Sequence, residues 1–155
     1  MDSAATRPPG MTDLVRLCAA LNAAGARYMV VGGFAVNYYG FARATEDIDL
    51  LVDQAPQNVQ RIKQGLAVLP DNAASELADT DVAEFTVVRI LDEITVDLIA
   101  RVGQVTFENA GSVQAIVDGV TIPVADLDTL IATKQGIRER DRRDLAFLLR
   151  VKRAR

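Results

Sequence analysis

The stretch Gly32–Asp53, GGFAVNYYGFARATEDIDLLVD, decides the reading of this chain, because it sets a glycine pair ahead of two carboxylates spaced two residues apart in an apolar run. Side chains alternate faces along a strand. Asp47 and Asp49 therefore project to one side, while Ile48, Leu50 and Val52 project to the other. Two acids held on one face repel each other unless a positive charge lies between them. The chain contains no histidine, so the economical positive partner is a hard divalent cation such as magnesium, which prefers carboxylate oxygens.

Upstream of this stretch, Thr12 or Asp13 can cap a helix that runs to about Ala24, with Leu14, Leu17, Cys18 and Leu21 at helical spacing. Gly25 ends it, and Tyr28–Val31 reads as a short buried strand that runs directly into Gly32 and Gly33. Phe34–Tyr39 then reads as a helix closed by Gly40, and Ile48–Val52 as the second strand. Downstream, Asn58–Leu69 has helical periodicity and 71–81 is a polar connection. Glu84–Leu91 and Ile94–Ala100 read as antiparallel strands. Val113–Val117 and Val120–Val124 flank Asp118-Gly119, a strong hairpin signal. Asp126 caps a helix to Lys134, and a last helix covers about Asp141–Val151.

Helices mixed with partly antiparallel strands predict an α+β fold, a mixed sheet flanked by helices in a single minimal domain. The domain is expected over residues 11–151, with a flexible tail at 1–10 and a basic tail at 152–155. A chain of 155 residues that is 50% hydrophobic suffices for one compact core. The opening residues lack the apolar stretch of a signal peptide, and no run approaches a membrane span, so a cytoplasmic protein with no membrane contact is expected.

Composition also narrows the chemistry. The absence of histidine excludes histidine triads, imidazole zinc sites and histidine general bases. The single cysteine, Cys18, has no partner for a disulfide or a zinc site and suits core packing. The net charge of −4 conceals an asymmetry. From Lys134 onward, nine basic residues face three acidic ones, a balance of +6 that leaves −10 for the rest. Such a division suits a protein that holds metal on one surface and attracts a polyanion with the other; a solvated, charged helix face is the plainer alternative.

Gly32 and Gly33 lie between a strand and a helix, where missing side chains permit a tight turn and let backbone N–H groups approach a phosphate. They are neither a dinucleotide fingerprint nor a P-loop. A third acid, Asp97, sits inside the apolar strand ITVDLIA, where an unpaired carboxylate would be costly to bury. It can share the face of Asp47 and Asp49 if the strands are adjacent; the alternative is an ion pair with Arg89 or Arg101. Three converging carboxylates can hold two magnesium ions. Lys134 can neutralise charge on a transferring phosphoryl group or complement a helix dipole. Arg43 can grip a triphosphate and Thr45 can fix the lead-in to the strand, although a surface arginine and a turn threonine explain the pair as well.

Gly32-Gly33, Asp47-x-Asp49 and Asp97 together resemble the nucleotidyltransferase superfamily of DNA polymerase β. With LIATKQGIRERDRRDL near the end, the chain is most similar to the small AbiEii/AbiGii-type nucleotidyltransferases of bacterial toxin–antitoxin systems, over about Arg27–Leu149. The resemblance implies metal-dependent transfer of a nucleoside monophosphate from an NTP to an acceptor hydroxyl. Asp47, Asp49 and Asp97 would then hold two magnesium ions, with manganese as a substitute. Gly32 and Gly33 would contact phosphates, Lys134 would serve catalysis, and Asp141 would join the nucleotide site, with Asp144 as the other register. RNA, tRNA or protein are the implied acceptors, with Arg138–Arg143 as an RNA contact and a cognate protein as a further partner. A small-molecule, antibiotic-type transferase and a non-catalytic partner module are the alternatives.

Overall fold

The computed structural model describes residues 6–136 and 138–155. In chain order the elements are α1 (Met11–Ala23), β1 (Tyr28–Val31), α2 (Gly32–Tyr38), β2 (Asp47–Val52), α3 (Pro56–Leu66), a short 3-10 turn (Ala73–Glu76), α4 (Asp81–Phe85) and β3 (Val87–Leu91). There follow β4 (Thr95–Ile99), β5 (Arg101–Val102), β6 (Val105–Thr106), β7 (Ser112–Val117), β8 (Val120–Ala125), α5 (Leu127–Thr133) and α6 (Glu139–Arg153). Among the described residues, one mixed sheet runs in the order β3-β4-β2-β1-β8-β7, and β5-β6 form a separate small hairpin. The α+β expectation holds.

β1 and β2 are antiparallel, with Val31 opposite Asp49. β2 and β4 are parallel, with Asp47 opposite Thr95 and Asp49 opposite Asp97. β3 returns antiparallel to β4 and sets Arg89 beside Asp97. One row across the sheet therefore reads Val31, Asp49, Asp97, Arg89. Strand periodicity sends the neighbouring Ile48, Leu50, Val96 and Leu98 to the opposite face, where all four are buried in one apolar cluster with Leu17 and Leu21 of α1 and Ile62 and Leu66 of α3.

Local chemistry adjusts several expected boundaries. Asp13 does not cap α1 from outside. It stands at the third helical position and accepts from the Gly10 backbone N–H at 2.7 Å. α3 starts at Pro56, whose missing N–H costs nothing in a first turn. Asn58, now inside that helix, is buried and bonds the backbone of Arg27 and Asp53. Glu84 and Phe85 belong to α4 rather than to a strand, because Thr86 adopts φ 68° and breaks the chain direction before β3 begins. The hairpin at Asp118-Gly119 forms as read, with both residues at positive φ.

At the ends, residues 1–5 of the expected N-terminal tail lie outside the described residues. Arg7 is tied to Asp13 at 2.7 Å and to Glu93 at 2.8 Å. α6 continues through Lys152 and Arg153 of the expected basic tail, as suits cations in the last turn of a helix. Among the described residues, no helix is long and apolar enough to cross a membrane.

Candidate active site

The open face of the sheet collects the acids. Asp47 and Asp49 lead β2, Asp97 lies in β4, and one oxygen from each carboxylate falls within 4.8 Å of the others. The parallel register produces this. Adjacent parallel strands align Asp49 with Asp97 on one face, and the spacing of two residues adds Asp47. The donor set is all carboxylate oxygen, which fits a hard divalent cation. Burial, and after it the charges of Asp47 and Asp97, pushes the Asp49 carboxyl up from 3.8 to about 8. Burial and the two neighbouring acids thus favour the protonated form of Asp49.

The glycine pair makes the approach possible. Gly32 has φ 68°, a conformation that L side chains rarely adopt, and a Cβ there would overlap the Asp49 carboxylate. A Cβ at Gly33 would overlap the methyl of Thr45. The two glycines therefore let the start of α2 lie directly against the lead-in and the first residues of the acidic strand.

Five cations, Arg43, Arg89, Lys134, Arg138 and Arg140, also line the cleft, which has a volume of about 310 Å³ and is completed by Glu46, Val87 and Ile99 among others. Two of these cations are fixed from behind by one buried acid. Asp144, with no exposed surface, accepts from Arg43 Nε at 3.0 Å and Nη2 at 2.9 Å, and its Oδ2 lies 3.1 Å from Lys134 Nζ. Asp141 lies beside it, 3.7 Å from Lys134 and 3.1 Å from Arg138, and fills the space that a side chain at Gly136 would need. Both registers considered from sequence are thus occupied, and both acids act on cations rather than lining the cleft.

Asp97 does pair with an arginine, and it is Arg89 rather than Arg101. Nε and Nη2 of Arg89 each donate to one Asp97 oxygen at 2.9 Å, and Nη2 also reaches Asp47 Oδ2 at 3.2 Å. The ion-pair alternative and the acid cluster are therefore both present in one arrangement. The involvement of Arg89 with Asp47 needed the strand register. Its only trace in the sequence is the alternation of Val87, Arg89 and Leu91, which puts a charge on the outward face of a strand.

The model of the nucleotidyl transferase AbiEii toxins of type IV toxin–antitoxin systems matches residues 14–154. The chain belongs to the AbiEii family. It is a nucleotidyltransferase by that membership, and the match takes in the glycine pair, all three aspartates and the Lys134–Asp144 segment. The fold of this AbiEii-family chain is similar to that in the crystal structure of an antigenic nucleotidyltransferase-like protein from Paracoccidioides brasiliensis. The TM-score is 0.58 and the identity 16%, over 96% of this chain and 79% of that one. No functionally curated protein matches the sequence.

Proposed function

We propose that this chain transfers a nucleoside monophosphate from an NTP to an acceptor hydroxyl at the cleft formed by Asp47, Asp49 and Asp97. The observation that carries the proposal is the convergence of these three carboxylates against the Gly32-Gly33 turn, with Arg43 and Lys134 in the same cleft. Three acids crowded at that distance make sense around divalent cations, here Mg²⁺ or in its place Mn²⁺. When bound, the metal lowers the pKa of the attacking hydroxyl and offsets charge on the phosphoryl oxygens.

The chain's own residues supply the remainder. Asp47, Asp49 and Asp97 would hold the metal, and Asp97 is the candidate to take the hydroxyl proton. Gly32 and Gly33 leave backbone N–H groups at the start of α2 bare of side chains, where a phosphate can approach. Arg43 and Lys134 are held by Asp144 and stand ready for phosphate charge without reorganising. Thr45 closes over Gly33 and fixes the lead-in to β2.

RNA, including the end of a tRNA, is the acceptor best matched to the surface. Arg140, Arg142 and Arg143 are exposed near the start of α6, and Arg140 also borders the cleft. A cognate antitoxin protein and a cytoplasmic setting accompany this reading of a toxin family.

The test is incubation of purified protein with each α-³²P-labelled NTP, Mg²⁺ and separated RNA, protein and small-molecule fractions, with Asp47→Asn as control. Label in RNA that is lost in the variant supports the proposal, whereas label in the small-molecule fraction assigns an antibiotic-type transferase. Transfer that persists in Asp47→Asn refutes the catalytic assignment. NTP binding with no labelled fraction refutes transfer and leaves a binding module.

A further inference from the structure

The cleft holds two kinds of cation. Arg43 and Lys134 are clamped by the buried Asp144, and their side chains are only 17% and 9% exposed. Arg89 differs in its exposure and in the acids it pairs with. It stands on β3, an edge strand of the sheet, with its side chain 57% exposed and exposed Val87 and Leu91 as its neighbours on that face. Among the described residues, its side chain bonds only the acids of the cluster, the buried Asp97 through two hydrogen bonds and Asp47 through one.

Its position matters because of the oxygens it occupies. The guanidinium engages one oxygen of Asp47 and both oxygens of Asp97, one of which a cation shared by the three aspartates would use. Asp49 is the acid of the three that Arg89 does not reach by a hydrogen bond. A guanidinium and a divalent ion on the same oxygens repel strongly at such short range. Arginine can leave once a divalent ion takes over the charge of Asp97 and Asp47, because its side chain is long and already 57% exposed.

We propose that Arg89 is a positioning residue that serves as the resident counter-ion of the acid cluster and is displaced when a divalent cation binds. It holds Asp47 and Asp97 in place while the site is metal-free, and it weakens the affinity of the site for metal by competing for the same oxygens. The inference rests on the reading of Asp47, Asp49 and Asp97 as the metal-holding site. It differs from that reading in a measurable way, because a residue that merely oriented Asp97 for the metal would weaken metal binding when removed.

The experiment is a Mn²⁺ titration followed by electron paramagnetic resonance of the free ion, without nucleotide. It compares the wild-type protein, Arg89→Met, Arg89→Lys and, as a blank, Asp49→Asn. Displacement predicts that Arg89→Met binds Mn²⁺ about tenfold more tightly than wild type, with Arg89→Lys in between. The metal-free Arg89→Met protein should also melt lower than wild type, yet gain more on addition of Mn²⁺. Unchanged or weaker Mn²⁺ binding in Arg89→Met, with metal-free circular dichroism like that of wild type, overturns the proposal. Absence of any Asp49-dependent Mn²⁺ binding in all variants overturns the metal-site reading itself and this inference with it.

Discussion

Asp49→Asn should make the metal-free protein more stable while abolishing transfer. In the folded chain the Asp49 carboxyl is raised from 3.8 to about 8 by burial and by its neighbours Asp47 and Asp97. At pH 7 the group must therefore take up a proton on folding that it would lack in the unfolded chain. Each pH unit between 3.8 and 7 costs about 1.4 kcal/mol, which gives a ceiling of roughly 4 kcal/mol. The amide of Asn must still be accommodated beside two carboxylates, so an observed gain of about 2 kcal/mol is expected.

The sign follows from linkage. A carboxyl whose folded pKa is raised contributes its full stability below its unfolded pKa near 4, and loses it as the pH climbs through about 8. The variant and wild type should thus be equally stable near pH 4 and diverge up to about pH 8. Urea denaturation in EDTA measures this directly. With a slope of about 2 kcal/mol per molar urea, the midpoint should move by about 1 M at pH 7. Adding Mg²⁺ should raise the wild-type midpoint and leave the variant unmoved. A variant less stable than wild type at pH 8, or a gap that does not change with pH, would refute the picture of a charge-crowded site.

Further expectations test other parts of the site. Gly32→Ala places a Cβ at φ 68° against the Asp49 carboxylate and should cost more than the roughly 1–2 kcal/mol of left-handed strain. Gly25→Ala, at φ 72° but in open space, should cost only that strain and keep full transfer; denaturation and NTP labelling compare the two. Asp144→Asn leaves Arg43 and Lys134 without their shared buried acid and should destabilise by about 3 kcal/mol, with a raised KM for NTP in those molecules that fold. Burial pushes the Cys18 thiol up to about 11, so Ellman's reagent at pH 8 should react with it only after unfolding in urea.

The acid pair was legible because strand alternation is a local rule that needs only the spacing of Asp47 and Asp49. The hairpin at Asp118-Gly119 and the Asp126 cap of α5 were legible for the same reason; the Asp126 carboxylate does accept the Thr129 backbone N–H at 2.9 Å. Glu84 and Phe85 have a strand-like sequence yet form the end of a single helical turn, which stops at Thr86 with its positive φ, a conformation that sequence gives little sign of. The hairpin of β5 and β6 leaves no sequence signal, because its strands are two residues long, too short for any period to emerge.

By itself the sequence determined that one chain carries a glycine pair, a doublet of acids on one strand face, a lone acid in an apolar strand and a basic terminal segment. Tertiary structure decided that these converge. Only the parallel register of β2 and β4 puts Asp97 opposite Asp49, and only the antiparallel return of β3 lays Arg89 across Asp97 and Asp47. The closing of α6 onto the lead-in to β2 likewise lets Asp144 hold Arg43, 101 residues away, together with Lys134. The division has a physical cause. Periodicity and capping are set within a few residues, whereas the partner of a buried charge is set by whichever strand or helix the whole core brings beside it.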